Sequence, residues 1–193
     1  MNILHLDAST LGAQSISREL SAGIVATLRR QSPAAQVSYR DLAADPLPHW
    51  QPVLDASREP GALGETLLDE FLAADIVVIG TPMYNFGIPT QLKAWVDHIA
   101  VPGKAFRYTA NGPEGLAGGK RVIVASARGG VYSQGPAVGM DFQERYLRAF
   151  FGFVGIDAIE VVRAEGVAMG PEHRRKALKR AHAEIRALVP LAA

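Results

Sequence analysis

Five short apolar or β-branched runs punctuate the chain: Asn2–Leu6, Gln36–Asp41, Asp75–Gly80, Arg121–Ser126 and Ile156–Val162. Between and after them the periodicity changes to that of a helix. Ile16, Leu20, Ile24 and Leu28 recur every four residues as one apolar stripe. Glu65–Ala74 carries Leu67, Leu68, Phe71 and Leu72 on another face, and Pro89 sits where a helix can begin, ahead of Leu92, Trp95, Val96 and Ile99. Phe142–Val154 and Glu172–Leu188 complete the set. Strand–helix alternation repeated five times predicts a parallel sheet covered by helices on both faces. The expected fold is therefore α/β: a doubly wound, five-stranded parallel sheet of order 2-1-3-4-5. With 193 residues the chain suits one domain, residues 1–193, with a sizeable core. The proline-rich DLAADPLPHWQP and the glycine-rich FRYTANGPEGLAGGK read as insertions, because neither separates two independent cores.

In that sheet order, strands one, three and four are neighbours. Their carboxyl ends flank the point where strand order reverses, which is where such sheets bind ligands. The three loops that leave those ends are the unusual ones: DASTLGAQSIS, TPMYNFGIP and SARGGVYSQG. The first supplies Ser9, Thr10, Ser15 and Ser17, with Gly12 for a tight turn, just before a helix begins. Helix-start N–H groups joined by hydroxyls make an anion site, although a single serine there would be an ordinary N-cap. The loop lacks the lysine of a triphosphate-binding loop and the glycines of a dinucleotide fingerprint, so a monophosphate suits it best. In the second loop Pro82 and Pro89 fix the path of Met83, Tyr84, Asn85 and Phe86; read alone, the apolar three could be core. A stiff loop offering apolar faces, an amide and backbone donors suits a planar heteroaromatic ring. In the third, Gly129 and Gly130 after Arg128 let backbone approach a flat ligand, or simply turn. A phosphate at one end and a flat polar ring at the other describes FMN.

Composition removes several classes. Net charge is +1 and scattered, so neither nucleic acid nor a charged membrane is implied as partner. Without cysteine there is no disulfide, thiolate metal site or cysteine nucleophile. The five histidines, His5, His49, His98, His173 and His182, stand at no metal-ligand spacing, so no metal is assigned; His5 is expected to be a satisfied core residue. MNILHLDAS is too short in its apolar run for a signal peptide, and no segment reaches the roughly 18 apolar residues of a membrane span. A cytoplasmic location is expected.

Ser9–Ser17, PMYNFGIP and ARGG resemble the three flavin-binding segments of the FMN-dependent NADH-azoreductases, which are flavodoxin-like quinone reductases. The similarity extends to FRYTANGPEGL and FFGFVGI. It implies that Ser9, Ser15, Ile16 and Ser17 hold the phosphate. Pro82, Met83, Tyr84, Asn85 and Phe86, with Ala127, Arg128, Gly129 and Gly130, would hold the isoalloxazine ring. It also implies a homodimer with two sites at the interface, NADH or NADPH as reductant, and a quinone or azo compound as substrate. Tyr108 and Phe150 resemble the aromatic walls that stack a substrate over the open ring face, with core packing as their plain alternative. Trp50 is a weaker lid candidate. Thr10 and Leu11 stand where relatives commonly have proline and arginine, and Ala127 where serine is frequent. The flavin would carry the chemistry, so no catalytic side chain is assigned. The expected activity is two-electron, ping-pong reduction of quinones or azo compounds by NAD(P)H. The alternative is a flavodoxin-type electron shuttle, although such shuttles tend to be acidic and to lack the aromatic insertion. A phospho-receiver domain shares the sheet order, but strand three ends Gly80-Thr81-Pro82 without the acidic residue it needs.

Overall fold

The computed structural model describes residues 1–51 and 62–189. In chain order the elements are β1 (Asn2–Asp7), α1 (Ile16–Gln31), β2 (Gln36–Asp41), α2 (Ala62–Ala73), β3 (Ile76–Pro82), α3 (Thr90–Ile99), β4 (Phe106–Thr109), β5 (Gly112–Gly115), β6 (Arg121–Ala127), α4 (Phe142–Phe153), β7 (Ile159–Ala164) and α5 (Pro171–Arg186). Five strands form one parallel sheet in the order β2-β1-β3-β6-β7. The remaining two, β4 and β5, pair only with each other. The sequence reading counted five strands and numbered them 2-1-3-4-5; the hairpin adds two, so the order in chain numbering differs from that count.

Every residue of β3 and β6 is buried, as central strands covered on both faces must be. On one face Leu4, Leu6, Val77, Ile79, Val122 and Val124 meet Phe71, Trp95 and Phe151 from α2, α3 and α4. On the other, Ile3, Ile76, Val78, Ile123 and Ala125 meet Leu20, Ile24 and Leu28 of α1 and Ala181 and Ile185 of α5. Period-2 strands thus feed two separate cores, and helix stripes close each. Gly80 sets how closely α1 lies on the sheet. A Cβ there would stand 2.1 Å from Asp7 Oδ1, 2.8 Å from Ser21 Oγ and 3.1 Å from the Ser17 carbonyl. Only a glycine in β3 lets the first turns of α1 sit against the carboxyl edge of the sheet.

Two boundaries move by three residues, and the others by no more than two. The last strand begins at Ile159 and not at Ile156, because the buried Ile156 sends its amide back to the Phe151 carbonyl (2.8 Å) and closes the end of α4. α2 begins at Ala62. The glycine-rich insertion folds as the β4–β5 hairpin: Thr109 Oγ1 donates to the Gly112 carbonyl (2.8 Å), and Arg107 faces Glu114 across the strands. It docks on the end of α4, where the Ala117 amide reaches the Val154 carbonyl (2.9 Å) and the Phe106 and Phe153 rings lie 4.5 Å apart. The other insertion falls partly among residues 52–61, outside the described residues.

Candidate functional site

The loops that leave β1, β3 and β6 lie side by side, since these strands are neighbours. Ser9, fully buried, follows β1. Ser15 is the N-cap of α1: its Oγ accepts from the Arg18 amide (3.4 Å) and shares a hydrogen bond with Ser17 Oγ (3.1 Å). The cap reading of this serine is therefore correct, but it leaves donors over. Among the described residues, no acceptor takes the amides of Ile16 and Ser17. Two free N–H groups at the positive end of a 16-residue helix form an anion site.

The second loop turns back on itself. Tyr84 and Gly87 exchange both backbone hydrogen bonds (3.1 and 3.0 Å), with Asn85 at φ 47° and Phe86 at φ 71° between them. Two consecutive positive φ values make a type I′ turn. Asparagine accepts that conformation readily, whereas a phenylalanine held there costs about 1–2 kcal/mol. Strain of that kind, at a strand exit beneath a ligand site, persists only because the surroundings impose it. They do so from both sides. The Met83 amide donates to the Ala127 carbonyl (2.9 Å), and the Phe86 carbonyl accepts from the Phe142 amide (3.1 Å) at the start of α4. The Tyr84 hydroxyl meets Thr10 Oγ1 (3.0 Å), which ties the first loop to the second. Burial alone would raise the Tyr84 phenol. Hydrogen bonds to Thr10 and Ser9, with the nearby Arg18 charge, outweigh it and leave the group below its ordinary value.

In the third loop the residues separate by role. The carbonyls of Gly129 and Gly130 accept from the Ala168 and Gly166 amides (3.1 and 2.9 Å). Their own amides take no acceptor among the described residues, so they remain available to a ligand. Arg128 does not present its side chain there. It is fully buried, donating to Asp141 (2.9 Å), Glu165 (3.2 Å), Ser126 Oγ (2.9 Å), Gln143 Oε1 (3.1 Å) and Glu144. Its backbone is also spent, on Ala164 and Val167. Glu165 in turn accepts from the Tyr132 and Ser133 amides (2.9 and 3.0 Å), anchoring the loop from behind. Burial would raise Glu165, but the Ser133 hydroxyl, the Tyr132 amide and the Arg128 charge hold it below the usual carboxylate range. Arg128 is thus a strut of the loop.

Sequence reasoning missed Tyr132, whose ring lies edge-on to Phe86 (6.1 Å) and within 3.3 Å of where a Cβ on Gly130 would stand. It also missed Glu165, which nothing local marks. Arg18 did leave a signal: a cation in the first turn opposes the helix dipole and so calls for a carboxylate partner. Tyr108 and Phe150 lie elsewhere. Tyr108 is 75% exposed on the hairpin, edge-on to Phe106 (5.6 Å), and Phe150 packs partly buried beside Phe151 (5.3 Å). No hydrogen bond or ring contact among the described residues joins either to the three loops. Trp50 lines a separate apolar cleft of about 350 Å³ with Pro48, Leu68, His98 and Val101. His5 is buried as expected but is not satisfied: among the described residues its Nε2 has no hydrogen-bond partner, and it stands 3.6 Å from Asp7 Oδ2. The described residues include no helix long and apolar enough to cross a membrane, and no group of three His, Asp or Glu placed to hold a metal.

Residues 1–189 match a family described as having a flavodoxin-like fold. A relative from Xanthomonas oryzae pv. oryzae (strain KACC10331 / KXO85), named FMN-dependent NADH:quinone oxidoreductase, is 60% identical over 189 residues, covering 97% of this chain and 96% of its own. One of the same name from Azospirillum brasilense is 52% identical over the whole of both chains. Among solved structures, an azoreductase from Bacillus anthracis str. Sterne is 30% identical with a TM-score of 0.88, covering 96% of this chain and 97% of its own. An FMN-dependent NADH-azoreductase from Bacillus anthracis str. Ames Ancestor, in complex with FMN, is 25% identical with a TM-score of 0.83, covering 96% and 98%. With three flavodoxin-type loops on one sheet edge and relatives this close over its full described length, the chain belongs to the flavodoxin-like fold family and, within it, to the FMN-dependent NADH:quinone oxidoreductases.

Proposed function

We infer that this protein is an FMN-dependent oxidoreductase that passes electrons from NADH or NADPH to quinones and azo compounds. The observation that carries the reading is the pair of unaccepted amides, Ile16 and Ser17, at the start of α1, in a loop that the Thr10–Tyr84 hydrogen bond ties to a rigid turn. A phosphate fits the first and a flat ring the second. The donor set is neutral and preorganised, which suits a monophosphate ester.

Ser9, Ser15, Ile16 and Ser17 would hold the phosphate. Pro82, Met83, Tyr84, Asn85 and Phe86 would form one border of the ring site, and Ala127, Gly129 and Gly130 another; Arg128 supports this loop from behind. When bound, FMN supplies the redox chemistry, accepting a hydride from the nicotinamide and passing two electrons to the acceptor. The free Gly129 and Gly130 amides are placed as fixed dipoles that favour negative charge beside them. The aromatic faces of Phe86 and Tyr132 would shield a bound ring from water.

We further propose a homodimer. Tyr108 is a large exposed ring on a hairpin that no hydrogen bond or ring contact among the described residues joins to the flavin loops of its own chain. A second copy gives it and Phe150 a place against a substrate, each subunit offering them to the other's site. A cytoplasmic location, where reduced nicotinamides are supplied, accompanies this reading. A purified sample should show a flavin absorbance spectrum and release FMN. Anaerobic mixing with NADH, and separately with NADPH, should bleach it within one turnover and rank the two reductants. A quinone should then restore the colour, and steady-state double-reciprocal plots should be parallel. No bleaching by either nucleotide would leave an electron shuttle in its place.

A further inference from the structure

Arg18 occupies the first turn of α1, where the helix dipole repels a cation. It is held there by a set of partners that reach across the fold. Nε and Nη2 both donate to the Ser9 carbonyl (3.1 and 2.7 Å). Nη1 and Nη2 grip the two oxygens of Asp41 (2.5 and 2.6 Å), and Nη1 also reaches the Tyr39 hydroxyl (3.3 Å). Asp41, at the end of β2, is fixed in turn by the Ala43 and Ala44 amides (3.1 and 3.0 Å). Tyr39 donates to Asp7 (3.1 Å), and Asp7 accepts from Ser21 of α1 (2.8 Å). The Arg18 side chain is only 15% exposed. Its planar fork is therefore a strut between the sheet edge and one peptide group of the first loop.

That peptide group is the informative one. In a trans peptide the carbonyl and the following N–H point in opposite directions. Drawing the Ser9 carbonyl toward Arg18 turns the Thr10 N–H away from it, toward the Tyr84 hydroxyl (3.4 Å). One side chain thus sets the orientation of the loop that carries Ser9 and Thr10 and its seam with the second loop. The clamp stands behind a loop, Asp7–Ser17, that contains no lysine or arginine of its own.

We propose that Arg18 is the positioning residue of the phosphate end of the site, and that its clamp on the Ser9 peptide sets the preference for FMN over unphosphorylated riboflavin. The proposal rests on the FMN reading above. It is tested by titrating wild type, Arg18→Met, Arg18→Lys and Asp41→Asn with FMN and with riboflavin, following flavin fluorescence. Arg18→Met should weaken FMN by about 30-fold and riboflavin by less than about threefold, since hydrogen bonds to charged groups are the strong ones. Arg18→Lys retains the charge but cannot hold the Ser9 carbonyl and both Asp41 oxygens together, so it should recover only part of the loss. Asp41→Asn leaves Arg18 charged but loosely held, and should shift the FMN-to-riboflavin ratio in the same direction by less. Arg18→Met or Arg18→Lys binding FMN as tightly as wild type overturns the clamp, and so does an equal loss for both flavins, which marks a merely structural role. Should Arg18→Met fail to fold, the Arg18→Lys and Asp41→Asn ratios decide: an unchanged ratio overturns the proposal. If wild type itself binds neither flavin, the FMN reading falls, an outcome distinct from a wild type that binds FMN with variants that match it.

Discussion

Gly115→Ala tests whether the hairpin belongs to the substrate side of the site and not to the flavin side. Gly115 ends β5 against the turn after α4, and the contact is between backbones. An added Cβ would stand 2.1 Å from the Gly155 amide nitrogen, 2.2 Å from the Val154 carbonyl carbon and 2.5 Å from Gly155 Cα. Comfortable heavy-atom contacts lie at about 3.5–4.0 Å, so the hairpin must retreat by roughly 1.4 Å. Backbone cannot swing aside as a side chain can. Retreat strains or breaks the bond from the Ala117 amide to the Val154 carbonyl (2.9 Å) and separates the Phe106 and Phe153 rings. Overpacking of this kind costs about 1–3 kcal/mol, and the hydrogen bond adds about 1. For a domain of this size a loss of about 3 kcal/mol lowers Tm by roughly 6–12 °C. The three flavin loops make none of these contacts, so FMN affinity should stay within about twofold, while KM for a quinone rises about fivefold or more as Tyr108 is displaced. Unchanged Tm and KM would refute the docking argument. Loss of FMN affinity in a folded variant would refute the separation of hairpin from flavin loops.

Gly80→Ala should be more severe, by about 3 kcal/mol or more, because the new methyl meets the buried Asp7 carboxylate and the first turns of α1; a urea midpoint equal to wild type would contradict it. Phe86→Asn should raise the unfolding free energy of the flavin-free protein, read by urea titration, by about 1 kcal/mol, through relief of the positive φ, while weakening FMN; a fall in both would show that the turn is not strained. Asp41 is held at about 2 by its hydrogen bonds from Arg18, against an ordinary 3.8. Its folded value is the depressed one, so its stabilisation is fully present above pH 3.8 and is lost as pH falls through 2. The wild-type urea midpoint should drop across that window, and Asp41→Asn should remove part of the drop. Gly130→Val should weaken FMN by forcing the Tyr132 ring from its contact at 3.2–3.3 Å, with thermal stability nearly unchanged; tight FMN binding would return Gly130 to an ordinary turn.

What could be read in the sequence was whatever repeats or breaks a repeat. The helix stripes and strand runs located nearly every element, because burial on two faces forces those patterns directly. The hairpin escaped notice although Asn111-Gly112 is a turn signal, because β4 and β5 are four residues each and hardly buried, leaving no alternation to see. Ile156 misled for the converse reason: an apolar residue that closes a helix looks like one that opens a strand. At the site, the loops were legible through serine, proline and glycine, residues whose backbone preferences are local. Their supports were not. Asp41 and Glu165 stand 23 and 37 residues from the arginines they hold, and only the fold supplies those distances. Arg128, which the resemblance placed with the ring-binding segment, turns its side chain to the rear, and only the fold brings its three carboxylates together.

The placement of charge behind the loops explains how a neutral surface can be rigid. A loop whose ligand-facing groups are mostly backbone amides has little of its own to hold it in shape, because those amides must stay unpaired until a ligand arrives. Conformational entropy works against that arrangement at about 1–2 kcal/mol per residue fixed. The first and third loops meet the cost in the same way. A guanidinium in or beside the loop is buried to the rear and tied to carboxylates on neighbouring elements: Arg18 to Asp41 of β2, and Arg128 to Asp141, Glu144 and Glu165. The second loop has no such pair and uses Pro82, Pro89 and the I′ turn, at the expense of strain on Phe86. Removing one member of a buried pair strands its partner and costs about 3–5 kcal/mol, more than any single ligand contact gains. These ion pairs are therefore poor places to vary. The exposed Leu11, by contrast, carries no pair of that kind, and its side chain can change while the amide framework stays in place.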